Sequence, residues 1–336
     1  MYAFVPGPRR WRRPLLLTAL IAFLPFSAPA LAFDCGKAAT DVEKAICATP
    51  ALKQLDDELA AAYAAVKAAS GPDAQKMLAR SQKRWISERE YCSGDDQGIV
   101  PCVTQKTRAR LSLLLGTPES GPGTAEKLVP VFLVQEGSEK QWDIDISAFR
   151  FGTPRTPGEK RFNALVDKIL HKAKLGPHGE DTNGMTYALE DQLSLTYASP
   201  LLISAQDDFY VNEGGAHGNY GTSNINIDLK TGRTITIKDV VDEKGAGVLT
   251  SWCKTQIDAE KKKRVPDSID VPYDQATRDA AIAQTVRDVT SWSIGATEIT
   301  VSFDPYAVGA YAEGAYSCAL PTKGVKALAL AGAPLP

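Results

Sequence analysis

Six cysteines behind an export leader constrain this chain more than any other feature. Leu15 to Phe26 is an apolar run, preceded by Arg9, Arg10, Arg12 and Arg13 and followed by Ser27-Ala28-Pro29-Ala30-Leu31-Ala32. A basic start, a short apolar stretch and an Ala-x-Ala end predict a signal peptide over residues 1–32, cut after Ala32. The run contains Pro25 and falls short of the roughly 20 residues that span a bilayer. No later stretch approaches that length, so no membrane span is expected after cleavage. Asp34, directly before Cys35, makes a poor lipidation site. Exported thiols pair, and spacing groups these as Cys35/Cys47, Cys92/Cys102 and Cys253/Cys318. Spacing leaves the connectivity open. The expected location is the periplasm or the medium.

The remainder has ordinary globular proportions, with 44% hydrophobic and 23% charged residues over 336 positions. Beyond the leader stand 34 basic and 40 acidic residues, a balance that gives nucleic-acid binding no support. The stretch GTPESGPGTAE, from Gly116 to Glu126, lacks apolar periodicity. It predicts a Pro/Gly linker over 116–127, between a unit at 33–115 and a second at 128–336. As flexible coil its ends would lie roughly 18 Å apart, so the flanking units need not touch.

The first unit reads as helical. Thr40 or Asp41 caps a short helix to Cys47, and Leu52, Leu55, Leu59, Tyr63 and Val66 form one stripe of a longer one. Leu78, Trp85 and Cys92 mark the inner face of a third, and Val103, Thr107, Leu111 and Leu114 that of a fourth. So small a domain is marginal on its own, and two cystines would each add roughly 3 kcal/mol. From Leu128 the pattern turns mixed. Trp142, Ile144 and Ile146 alternate, Glu159 to Lys174 reads as a helix, and Leu193–Tyr197 is expected to pair with Leu201–Val211. Ile225–Leu229 and Ile235–Ile237 read as a hairpin about Lys230–Arg233. Two helices follow, around Leu249 and Ile282, and a strand at Ile299–Phe303 that Pro305 stops. The expected class is α+β: a small disulfide-stapled helical domain, then a domain with a mixed, largely antiparallel sheet.

Catalytic signatures are scarce. His171, His178 and His217 lack the i, i+4 spacing of a helical zinc site, and no P-loop, nucleophile elbow or dinucleotide fingerprint occurs. No cofactor, metal or catalytic residue is assigned. The unusual stretch is Glu213-Gly214-Gly215-Ala216-His217-Gly218-Asn219-Tyr220-Gly221. Its glycines permit positive φ and close approach. Glu213, Gly214, Gly215, His217, Asn219 and Tyr220 form the candidate binding loop, against a plainer reading as a tight connection between strands. Lys261-Lys262-Lys263-Arg264 reads as a solvated, dipole-matched helix end. Trp85 is expected to be a core anchor and Arg89, one turn on, to cap or pair locally.

Two stretches resemble known families. Phe33-Asp34-Cys35, Thr40–Cys47, Leu55-Asp56-Asp57-Glu58-Leu59 and Tyr63, continued by Gln82, Trp85, Arg89, Cys92 and Cys102, are similar to the LprI-type lysozyme-inhibitor N-terminal domain. Gly214–Asn219, Ile227–Gly232, Phe303-Asp304-Pro305-Tyr306 and Tyr311-Ala312-Glu313-Gly314 resemble the RsiV-type extracytoplasmic domain, which senses lysozyme in anti-sigma factors. The sigma-binding segment and a deacetylase metal triad are absent, so neither activity carries over. The resemblances imply an exported, non-enzymatic, lysozyme-binding envelope protein. A cell-wall module that holds peptidoglycan or another glycan on Trp142 or Tyr220 is the alternative. A hydrolase with an unrecognised carboxylate pair is the second.

Overall fold

The computed structural model describes residues 34–95, 98–138, 142–172, 187–214, 217–265 and 275–336. The leader, His178 and Gly215 lie outside them. Four helices come first: α1 (Asp41–Ala48), α2 (Pro50–Ala69), α3 (Pro72–Arg89) and α4 (Ile99–Leu115). Thr40 Oγ1 accepts from Glu43 N at 3.1 Å while the Glu43 carboxylate accepts from Thr40 N, a capping box that starts α1. Proline opens both α2 and α3, where its missing N–H costs nothing. Cys35–Cys47 clips the entering chain to the end of α1, and Cys92–Cys102 joins the turn after α3 to the first turn of α4. Val42, Ile46, Leu52 and Val103 are buried at one end of the bundle, and Leu59, Leu78 and Leu114 at the other.

A five-stranded sheet follows, ordered β1 (Leu128–Gln135), β2 (Asp143–Phe151), β3 (Ala188–Ala198), β4 (Leu202–Asn212) and β5 (Asn219–Asp228). Only β2 and β3 run parallel. Their connection contains α5 (Pro157–Lys172), the crossover a parallel pair needs. Its Phe162 packs against Phe149 and Phe151. Then come α6 (Ile237–Val240), α7 (Glu243–Arg264), α8 (Gln275–Arg287), the antiparallel sheet β6 (Trp292–Ile294), β7 (Glu298–Phe303) and β8 (Tyr316–Pro321), and α9 (Thr322–Leu328). Trp292, Phe303 and Leu249 centre the second core. Cys253–Cys318 ties α7 to β8. Gln256 on α7 both donates to Ala319 O and accepts from Ala319 N, at 2.9 Å each. This side-chain amide closes the backbone of an edge strand. The class is α+β, with helices in the N-terminal region, a mixed sheet and a small antiparallel one.

Three expectations change. The return arm of the 225–237 hairpin is a single bridge, Ile227 to Thr234. Thr236 and Asp239 then form a capping box that turns Ile237 into helix. The Pro/Gly segment is docked rather than free: Glu119 N and Gly123 N donate to Leu195 O and Ala198 O, and Ser120 bridges Tyr197. Gly116, at φ 64°, turns so closely beneath Leu128 that a Cβ would overlap its carbonyl. The flanking units therefore meet. Phe132 of β1 enters the core between α2, α3 and α4. Arg80 and Arg84 of α3 donate to Val134 O at 3.3 Å and Gln135 O at 3.1 Å, covering the outer edge of β1.

Candidate functional site

Trp85 and Arg89 sit one turn apart on α3. Arg89 is buried and donates to Asp56 of α2 at 2.8 Å, with its guanidinium 4.7 Å from the centre of the Trp85 ring. Arg89 thus pairs across to another helix, 33 residues away, rather than with a near neighbour, and Trp85 is half-buried rather than enclosed. Beside them the α2–α3 face holds a groove of about 650 Å³ that includes Leu59, Tyr63, Trp85 and Ile86, with Lys67 and Lys83 among its walls. Ile86 is 44% exposed. The face is apolar with two ammonium groups beside it.

Where the helices meet the sheet, a cavity of about 120 Å³ is lined by Arg110 and Lys106 of α4, Glu88 of α3, and Asp145 and Ser147 of β2. Arg110 donates to Gln82 and Ser81 at 3.1 Å each and leaves Nη2 unpartnered. Burial pushes Asp145 up to about 7, against the pull of Arg84, whose Nε lies 4.0 Å away. Burial likewise lowers Arg110 to about 10. A second buried pair, Asp191 and Asp207, lies under Lys172, whose Nζ is 2.6 Å from Asp191 Oδ1 and 3.9 Å from Asp207 Oδ2. Burial and then the charge of Asp191 raise Asp207 to about 7, so one proton held between the two carboxyls satisfies both. Two acids together meet the first requirement of the hydrolase reading. Among the described residues no cleft opens in front of them: both are covered, at 0% and 3% exposure. Asp145 occupies the polar phase between Ile144 and Ile146 and so gives no sign of burial, whereas Asp191 falls in the apolar phase of Leu189, Leu193 and Leu195, a signal the sequence reading does not use.

The candidate loop joins β4 to β5 as a hairpin. Gly214 takes φ 86° and donates to Asn212 Oδ1 at 3.0 Å. Glu213, His217, Asn219 and Tyr220 are exposed. His217 stacks on Tyr311 at 3.8 Å and 19°, and Tyr311 donates its hydroxyl to Gly218 O at 2.7 Å. Tyr220 meets Tyr311 edge-on at 5.9 Å, and Tyr306 leans on it at 5.4 Å. At Gly221 a Cβ would overlap the Asp304 carboxylate, and at Gly218 the Tyr210 ring. The glycines are therefore there for close approach. Trp142 does not join this surface: it is 7% exposed and edge-on to Tyr187, so the core holds it rather than a glycan. The basic helix end is only partly solvated. Lys261 pairs with Glu313 at 2.6 Å, and Arg264 donates to Glu313 O and Ala315 O, pinning the segment that carries Tyr311. Among the described residues no cluster of His, Cys, Asp and Glu could hold a metal ion, and no helix is long and apolar enough to cross a membrane.

A cystine-stapled helical unit seated on an α+β body defines the class of this protein. Residues 35–114 match the family model described as Lysozyme inhibitor LprI. No curated protein matches the chain. Two solved DUF3298-family structures are similar to it. One, from Bacteroides fragilis, has 16% identity and a TM-score of 0.43, covering 62% of this chain and 94% of its own. The other, from Pseudomonas aeruginosa, has 13% identity and a TM-score of 0.40, covering 62% and 97%. Likenesses that distant carry neither fold nor function across.

Proposed function

We propose that the mature chain is an exported, non-enzymatic envelope protein that binds lysozyme and restrains it, with the contact on the helical unit. The observation that carries this reading is the match of residues 35–114 to the lysozyme-inhibitor family. It coincides with the segment that buries Arg89 against Asp56 and opens the α2–α3 groove. Three cystines support an oxidising compartment. The RsiV-type resemblance of residues 139–330 would add a second lysozyme-associated module. Lysozyme works with a pair of carboxylates in a sugar-binding cleft. Lys67 and Lys83, set beside the apolar wall of Ile86 and Trp85, suit the mouth of such a cleft. Past the helical unit the chain carries 22 basic and 29 acidic residues, so a basic C-type lysozyme is drawn in from a distance.

Capture of C-type lysozyme by the purified mature protein at low salt, run beside a muramidase assay, tests the reading. Co-elution with slowed wall lysis is expected, and Ile86→Asp should weaken both. Free passage of lysozyme with both proteins at micromolar concentration retires the idea.

A further inference from the structure

Tyr306 is the only non-glycine among the described residues with a positive φ, at 70°. It follows Pro305, and Ala307 N donates to Asp304 O at 3.0 Å. That is the pattern of a type II turn with proline second and a left-handed third residue, the place of glycine or asparagine. A bulky residue there is sterically costly, and burial does not repay it, since Tyr306 is 55% exposed. Strain kept at an exposed ring points to use of that ring.

The neighbourhood is rigid. Tyr311 is clamped between the His217 ring and the Gly218 carbonyl. Asp304 Oδ1 accepts from Thr222 N at 2.9 Å, locking the turn to β5. Arg264 holds the far side through Glu313 O at 2.9 Å and Ala315 O at 2.7 Å. Tyr306, Tyr311 and Tyr220 thus form a preorganised aromatic surface, and little side-chain entropy remains to be lost when a ligand arrives. The outer nitrogen of His217, whose Nδ1 contacts Gly218 O at 2.9 Å, stands beside it. Apolar rings set at 71° and 40° to Tyr311, with the His217 edge beside them, suit one ligand chemistry. A gluco-configured pyranose presents axial C–H bonds on its faces and hydroxyls round its perimeter.

We propose that Tyr306, with Tyr311, Tyr220 and His217, forms a stacking subsite for a β-linked, gluco-configured pyranose chain, and that the outer nitrogen of His217 bonds its hydroxyls. The subsite is separate from the α2–α3 groove and binds without lysozyme.

Titration calorimetry of the mature protein with cellotetraose and with chitotetraose tests this, and the pair of sugars separates plain hydroxyl recognition from a need for acetamido groups. Saturable binding of at least one sugar is expected. Tyr306→Gly should weaken it by about tenfold while melting at the wild-type temperature or above, because glycine suits the turn. Tyr306→Phe, which keeps the ring, should bind within about threefold of wild type. No binding of either sugar at about 10 mM overturns the proposal. So does a Tyr306→Gly variant that binds like wild type, or one that melts well below it, since the ring would then be architectural. None of these measurements contains lysozyme, so their failure and that of the lysozyme reading are distinguishable.

Discussion

Asp145 shows how a single carboxyl carries the chemistry of its surroundings. Arg84 and Arg110 attract its charge, Glu88 and Glu190 repel it, and burial outweighs them all. A folded value near 7 against 3.8 unfolded means the native state holds the proton longer. The stability this one group contributes is therefore greatest below the unfolded value and falls as pH rises from about 4 to about 7. Asp145→Asn removes that dependence. Its unfolding free energy should exceed that of wild type by a margin that widens from pH 4 to pH 8, bounded by about 4 kcal/mol. Calorimetry across that range reads the trend, and a margin that does not change with pH refutes it. Arg89 stands in the opposite situation, because its charge is already paired. Arg89→Ala strands Asp56, and denaturant melts should show a loss of about 3 kcal/mol.

At the scale of elements, side chains and cystines do work that backbone pairing leaves undone. Arg80 and Arg84 finish the edge of β1, and Gln256 finishes that of β8. The Cys253–Cys318 bond spans 65 residues, a loop whose closure is worth about 4 kcal/mol in the chain-entropy model. Replacing both cysteines by serine should lower the unfolding free energy by roughly that amount and leave lysozyme capture unchanged once the variant is folded. An equal loss on cutting the much shorter Cys92–Cys102 loop would mean that something other than loop length governs.

At the scale of the molecule, the helical unit depends on the sheet. Phe132 fills the space between Leu59, Leu78 and Leu114, so Phe132→Ala should cost about 3–5 kcal/mol and loosen helices that lie far from it in sequence. Hydrogen exchange in α2 and α3 would show this as faster opening. If the proposed reading holds, association with lysozyme is steered at long range by the acidic body and should slow as salt is raised past about 0.15 M. Surface resonance at two ionic strengths measures it, and an association rate indifferent to salt removes the electrostatic part of the reading.

Local signals in the chain specified a good deal. The 3.6-residue stripes at Leu52–Val66 and Val103–Leu114 and the alternation at Ile299–Phe303 each became the element that their spacing implied, because neighbours along the chain suffice to form a turn of helix or one face of a strand. The stretch at Thr236 misled, since a capping box outbid alternation. What the sequence could not supply was anything set by surfaces distant along the chain. The seating of the helices on β1, the burial of Asp145, the meeting of Asp191 with Asp207, and the gathering of Tyr220, Tyr306 and Tyr311 around one ring all depend on which faces exclude water together. Desolvation and stacking act between side chains brought near only by folding, so the tertiary structure alone decided them.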